Sequence, residues 1–174
     1  MNYKMKKIAL MFSIVAALSV SAFAQQKADD SKDALGVINK LWEAMTAHKP
    51  ADIVALHTPE AQLVAIMKNR EGKSVNRTFK AEEFSKNFAE KKAELLEDMY
   101  APKVEIHGDF AQIWGRYVFF VNGKISHCGV NAFHLVRTDT GWKIAGASST
   151  MEPQGCTEQE KVRKPSVTSS TTSK

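Results

Sequence analysis

From Phe110 to Thr150 apolar and polar positions alternate with a period of two, interrupted at two turn signals. FAQIWGRYVFFV runs into Asn122-Gly123, KISHCGVNAFHLVRT runs into a four-residue turn at Thr138 to Gly141, and WKIAGASST closes the stretch. Period-two patterning predicts strands. Asn-Gly predicts a two-residue type I′ hairpin, so the region predicts a three-stranded antiparallel meander.

Upstream, the period changes. Leu35, Ile38, Leu41, Trp42 and Met45 recur at helical spacing, predicting a helix from Ser31 to Ala47 with Ser31 as its N-cap. Pro50 opens a second short helix carrying Ile53, Val54 and Leu56, ended by Thr58-Pro59. Ala61 to Lys68 and Ser74 to Phe79 read as strands joined by a turn at Asn69 to Lys73. Ala81 to Asp98 reads as a helix with Phe84, Phe88, Leu95 and Met99 on one side, and Lys103 to His107 as a strand ending at Gly108-Asp109. Helix, helix, hairpin, helix and then a meander is an α+β plan, with helices covering one face of a curved antiparallel sheet.

The hairpin at Asn122-Gly123 sets a register. Unbroken pairing opposes Val121 to Lys124, Phe119 to Ser126, Tyr117 to Cys128 and Arg116 to Gly129. One face then carries Trp114, Arg116, Val118 and Phe120 with Ile125, His127, Asn131, Phe133 and Leu135, joined by Trp142, Ile144 and Ser148. Being the bulkier, it is assigned to the concave side beneath the helices. A bulge anywhere in the hairpin would exchange part of it.

On that face Trp114, Arg116, His127, Asn131 and Phe133 form the candidate ligand pocket. A guanidinium, an imidazole and an amide together grip an anionic oxygen, and the two aromatics stack on a flat ring. The alternative is structural: Arg116 pairs with a helix acid such as Glu43 or Glu94, and His127 bonds a backbone group. If any residue is catalytic it is His127, as a general base, with Arg116 as electrostatic stabiliser. No histidine spacing matches a zinc site, so no metal or cofactor is expected. The other face carries Ile113, Tyr117, Phe119, Val130, Ala132 and Ala145. Being apolar too, it needs a cover: a homodimer through this outer face, or the segment Met151 to Cys156 folded across it.

The opening helix with Trp42, the TPEAQLV run, the stretch MYAPKVEIHGDFA and the closing TDTGWKIAGAS, over residues 31 to 150, resemble the nuclear transport factor 2-like superfamily, near its exported SnoaL-like and ketosteroid-isomerase-like members. The resemblance implies a cone-shaped α+β fold with a pocket between sheet and helices, often dimeric. It implies no particular reaction, since members include isomerases, cyclases, dehydratases and binding proteins without catalysis.

The ends of the chain change the picture of charge. Met1 to Lys7 carry three lysines, Ile8 to Val20 are almost wholly apolar, and Ser21-Ala22-Phe23-Ala24 is a cleavage pattern, so residues 1–24 read as a signal peptide cleaved near Ala24. The formal charge of +5 falls to +2 without Lys4, Lys6 and Lys7, and residues 25–157 hold 17 basic and 17 acidic side chains. A neutral body gives no basis for nucleic-acid binding. After signal removal no membrane segment is expected either.

Residues 25–157 form one domain, and the Ser/Thr-rich residues 158–174 read as a disordered tail. Two cysteines in an exported chain, Cys128 and Cys156, argue for one disulfide, with free buried thiols as the alternative. The expectation is a periplasmic or secreted domain binding a small, flat, apolar or anionic molecule without catalysis. Its rivals are a small acid–base enzyme and a protein-interaction module with a filled core.

Overall fold

The computed structural model describes residues 29–165. The expected signal peptide and residues 166–174 lie outside the described residues.

Helix α1 runs over the described residues 29–46, so Ser31 lies within the helix rather than at its cap. Its buried positions Ala34, Val37, Ile38, Leu41 and Met45 follow the helical period and form the heart of the main core. α2 (Pro50–Ala55) begins at its proline, as the fixed φ of that residue favours. β1 (His57–Lys68) starts at once, running through Thr58-Pro59, and turns into β2 (Ser74–Lys80).

α3 (Ala81–Ser85) and a 3-10 turn (Lys86–Phe88) follow. Here the expected long helix to Asp98 fails. β3 (Leu95–His107) is already extended at Leu95 and pairs with β4 (Phe110–Val121) along the whole of that strand. Tertiary pairing overrides the helical propensity of AELLEDM: Leu96 packs with Val118 and Phe120 on one face, while Leu95 joins the core on the other. Pro102 sits inside β3 at a register break between Tyr100 and Lys103, which an edge strand tolerates because one side of its backbone needs no partner.

β5 (Lys124–Thr138) and β6 (Gly141–Thr150) complete an open six-stranded sheet in the order β2-β1-β6-β5-β4-β3. Every neighbouring pair is antiparallel except β1–β6, which is parallel. The concave face lies under α1 and α3, and Trp42 of α1 meets Phe133 edge-on at 5.7 Å between ring centroids. Arg137 ties the start of α1 to the sheet, reaching Asp30 at 2.7 Å and lying 4.3 Å over the Trp142 ring.

The Asn122-Gly123 turn has both residues at positive φ, 51° and 71°, as a type I′ turn requires. Val121 opposes Lys124 as expected, but the register then breaks: Phe120 opposes Ile125 and Phe119 opposes His127, leaving Ser126 as the extra residue of a bulge. From there on every pair differs by one residue from unbroken pairing, with Tyr117 opposite Gly129 and Arg116 opposite Val130.

The faces therefore regroup. Ile113, Tyr117 and Phe119 point to the concave side with His127, Asn131, Phe133 and Leu135, while Trp114, Arg116, Val118 and Phe120 share the convex side with Cys128. The apolar outer face built on Ile113, Tyr117 and Phe119 does not exist, because all three are turned inward.

The convex side is covered instead by the C-terminal segment. Cys128 and Glu152 exchange backbone hydrogen bonds, and Cys128 is bonded to Cys156 with their Cα atoms 5.2 Å apart. Where the end of β6 meets β5, residue 129 has to be glycine, since a Cβ there would stand 2.0 Å from the Thr150 carbonyl oxygen. At residue 158, where the tail was expected to begin, the chain is helical. Thr157 forms a capping box with Glu160, and α4 (Glu158–Lys161) follows.

Candidate functional site

Between α1, α3 and the concave face lies a cavity of about 500 Å³. Leu41, Trp42 and Met45 of α1, Phe84 and Phe88 around α3, and Phe119 and Phe133 of the sheet give it apolar, largely aromatic walls. Exposed Arg77 of β2 and exposed Glu83 and Asn87 mark its mouth.

The polar groups gather on the sheet side. Glu97 of β3 stands opposite Phe119, and Phe119 opposite His127, so one cross-strand row carries an acid, an aromatic ring and an imidazole into the cavity. The Asn131 side-chain amide donates to Glu97 Oε1 at 2.6 Å, and the Ser149 hydroxyl donates to Asn131 Oδ1 at 2.6 Å. Asn131 is itself fully buried, so this chain of bonds fixes its orientation, and among the described residues the second carboxyl oxygen of Glu97 has no hydrogen-bond partner.

Burial pushes the Glu97 carboxyl up to about 8, against which the Asn131 bond works in the opposite direction. The acid is partly exposed and lines the cavity, so it is near the midpoint of its titration at neutral to mildly alkaline pH while open to whatever the cavity holds.

His127 stacks on Phe119 at 5.0 Å and meets Tyr117 edge-on at 5.6 Å between centroids. Burial lowers its pKa, so it is a neutral imidazole at neutral pH. Its Nδ1 lies 3.2 Å from the Ser126 hydroxyl. Tyr117 donates to the Thr150 carbonyl at 2.8 Å, and burial, followed by the nearby charges of Glu97 and Glu152, raises its pKa.

Of the five residues expected to form the pocket, the structure brings His127, Asn131 and Phe133 together and sends Trp114 and Arg116 to the opposite face. The Ser126 bulge is the cause. Trp114 is an exposed side chain of the convex surface. Arg116 is ion-paired, though with neither Glu43 nor Glu94. Its Nε donates to Glu160 Oε1 at 2.5 Å and a second nitrogen donates to Oε2 at 3.0 Å. Tyr100 donates to the same carboxylate, which has no exposed surface.

The acid of the cavity, Glu97, is absent from the sequence reading because it falls in the region assigned to a helix. A signal for it exists in the lengths of the elements. With turns at Gly108-Asp109 and Asn122-Gly123 bounding the twelve-residue β4, a partner of five residues leaves most of β4 unpaired on that side, whereas a matched partner begins near Leu95.

Among the described residues, the ligand atoms of Cys128, Cys156 and Glu160 lie within 4.8 Å of one another. The two sulfurs are consumed in a disulfide and the carboxylate is held by Arg116, so the donor set does not fit a metal. Also among the described residues, no helix is long and apolar enough to cross a membrane.

No protein-family model and no curated protein sequence matches the chain. Solved structures do. An NTF2-like protein with a cystatin-like fold from Novosphingobium aromaticivorans superposes with a TM-score of 0.62 at 10% identity, covering 82% of this chain and 94% of that one. A nuclear transport factor 2 (NTF2-like) superfamily protein from Salmonella enterica gives 0.58 at 14% identity, covering 76% and 98%. A protein of unknown function with a cystatin-like fold from Nostoc punctiforme gives 0.56 at 8% identity, covering 70% and 90%. The fold is therefore the nuclear transport factor 2-like, or cystatin-like, α+β cone. At these identities the likeness is one of fold, and this fold carries both ligand-binding and enzymatic proteins.

Proposed function

We propose that this is a small-molecule-binding domain whose cavity takes a flat, largely apolar molecule and recognises one polar group on it through Glu97 and His127. The observation that carries the reading is the cavity itself, aromatic-walled and furnished with an acid held near neutrality by burial. The anionic alternative loses its basis with Arg116 on the other face. Among the described residues that line the cavity, Arg77 at the mouth is the one cation. The ligand is accordingly a neutral molecule bearing a hydroxyl or carbonyl, which a neutral or ionised Glu97 can meet as donor or acceptor. Mass spectrometry of small molecules co-purifying with the natively exported protein tests it. The Ala147→Trp variant, which fills the cavity, should lose them, and an unchanged set of co-purifying molecules overturns the reading.

A second reading is supported by one observation, the raised pKa of Glu97. An acid poised near working pH can transfer a proton to and from a bound carbon acid or alcohol. His127, neutral and wedged between two rings, is less suited to that task than Glu97. The enzyme reading stands if the co-purifying molecule is turned over by wild type and not by Glu97→Gln, and falls if neither protein changes it.

Export rests on the basic and apolar leader and on the disulfide, which favours an oxidising compartment. The mature chain begins near Gln25, and N-terminal sequencing of the exported protein checks this. A second copy would pack on the convex patch of exposed Phe110 and Trp114.

A further inference from the structure

Three polar groups of the cavity share a position in the chain: each adjoins a residue that the C-terminal segment holds from behind. Glu97 precedes Asp98, whose carboxylate accepts from Arg163 Nε at 2.9 Å. Tyr117 follows Arg116, which is clamped to buried Glu160. His127 precedes Cys128, which is bonded to Cys156. Successive side chains of a strand project to opposite faces, so each clamp lies one peptide unit from a cavity group. The three clamps fall on three neighbouring strands, and Asp98, Val118 and Cys128 oppose one another in a single row.

The clamps are unequal. The Arg116 and Arg163 side chains are 29% and 32% exposed. Partly solvated ion pairs of this kind hold a segment weakly once it is free to leave. The disulfide, by contrast, keeps the segment next to its partners, raising their effective concentration. Cys128 has no exposed surface, whereas Cys156 is partly exposed.

We propose that the segment from Met151 to Lys164 is a redox-governed strap: with the Cys128–Cys156 bond intact it holds Glu97, Tyr117 and His127 in the arrangement that binds ligand, and reduction of that bond weakens binding. The proposal rests on the reading of the cavity as a ligand site. The reductant is a dithiol. Its thiolate attacks the reachable Cys156 sulfur, and Cys128 leaves as a thiolate and takes up a proton. The reductant's second thiolate then attacks its own sulfur in the mixed disulfide. This releases Cys156 as a thiol and leaves the reductant as a disulfide, with two electrons and two protons transferred. Relaxation of the strap frees Asp98 and Cys128 and, through them, the rotational setting of Glu97 and His127.

The test uses the mature chain, oxidised and after reduction with dithiothreitol, and two readouts. The first is the titration of the Glu97 carboxyl carbon by NMR. The groups facing the cavity with it are Tyr117 and His127 from β4 and β5, Arg77 from β2 and Glu83 from α3. The second is binding of the neutral dye N-phenyl-1-naphthylamine, taking as cavity-bound only the fraction that Ala147→Trp abolishes.

Reduction should move the Glu97 midpoint down by about one pH unit toward the ordinary carboxylate range. It should also weaken cavity-bound dye by at least about fivefold. A reduced protein that stays folded with both readouts unchanged overturns the strap. If reduction unfolds the chain, the bond is a staple of the whole fold and the switch is overturned. If Ala147→Trp leaves dye binding untouched, the cavity reading fails by itself, and the Glu97 titration still decides whether the strap controls that residue.

Discussion

Glu97 places an ionisable group where folding and binding meet. In the unfolded chain a glutamate ionises near 4.5, while in the fold burial delays this to about 8. The unfolded state therefore loses its proton first, and stability falls as pH rises from 4.5 through about 8. Glu97→Gln should remove that loss. Urea unfolding at about pH 5 and about pH 9 should show wild type losing on the order of 3 kcal/mol more than the variant. Equal slopes would mean that the carboxyl is not buried in solution. His127 and His57 act with the opposite sign. Burial lowers both, and the Nε2 of His57 lies buried with no partner. Their stabilisation is complete above 6.5 and is lost as pH falls below it toward their folded midpoints. A His127→Phe variant should soften the loss on the acid side, read as a smaller drop in Tm between about pH 7 and about pH 5.

At the level of elements, the strands after Phe110 were legible because the period-two pattern and Asn122-Gly123 report local backbone geometry directly. So were α1 and α2, whose apolar spacing and leading proline act within a few residues. Three features were not legible. β3 is helix-prone in isolation and extended only because β4 offers it a full-length partner. The Ser126 bulge has no glycine to announce it, and it alone separates Trp114 and Arg116 from His127, Asn131 and Phe133. The partner of Arg116, Glu160, was hidden for a similar reason, because α4 is stable only where it is docked. Glu160→Ala leaves Arg116, 29% exposed, to be solvated in place of its carboxylate and should cost about 1 kcal/mol in denaturant unfolding. Where β5 passes the end of β6, Gly129→Ala forces its new methyl group against the Thr150 backbone. Its expected cost is about 3 kcal/mol or more, seen as a large fall in Tm. A tolerated alanine would show that the Thr150 carbonyl does not lie against β5.

For the molecule as a whole, the convex surface divides into a part sealed by the strap and an open part around Phe110 and Trp114. Sedimentation velocity tests the open part: Trp114→Glu should convert a dimer to a monomer with its fold unchanged, and a monomeric wild type removes the second copy from the account. The bulge at Ser126 reaches further than this one chain. It works as a frame shift in space, since one added residue reassigns everything beyond it on β5 between interior and exterior while the hydrogen-bond ladder simply closes up again. A chain of the same fold that lacks the extra residue would turn Cys128 and His134 inward and His127 outward. Such a chain would present a different interior from nearly the same string of amino acids. For this scaffold, the count of residues between the Asn-Gly turn and the first inward side chain governs pocket chemistry as strongly as which residues those are.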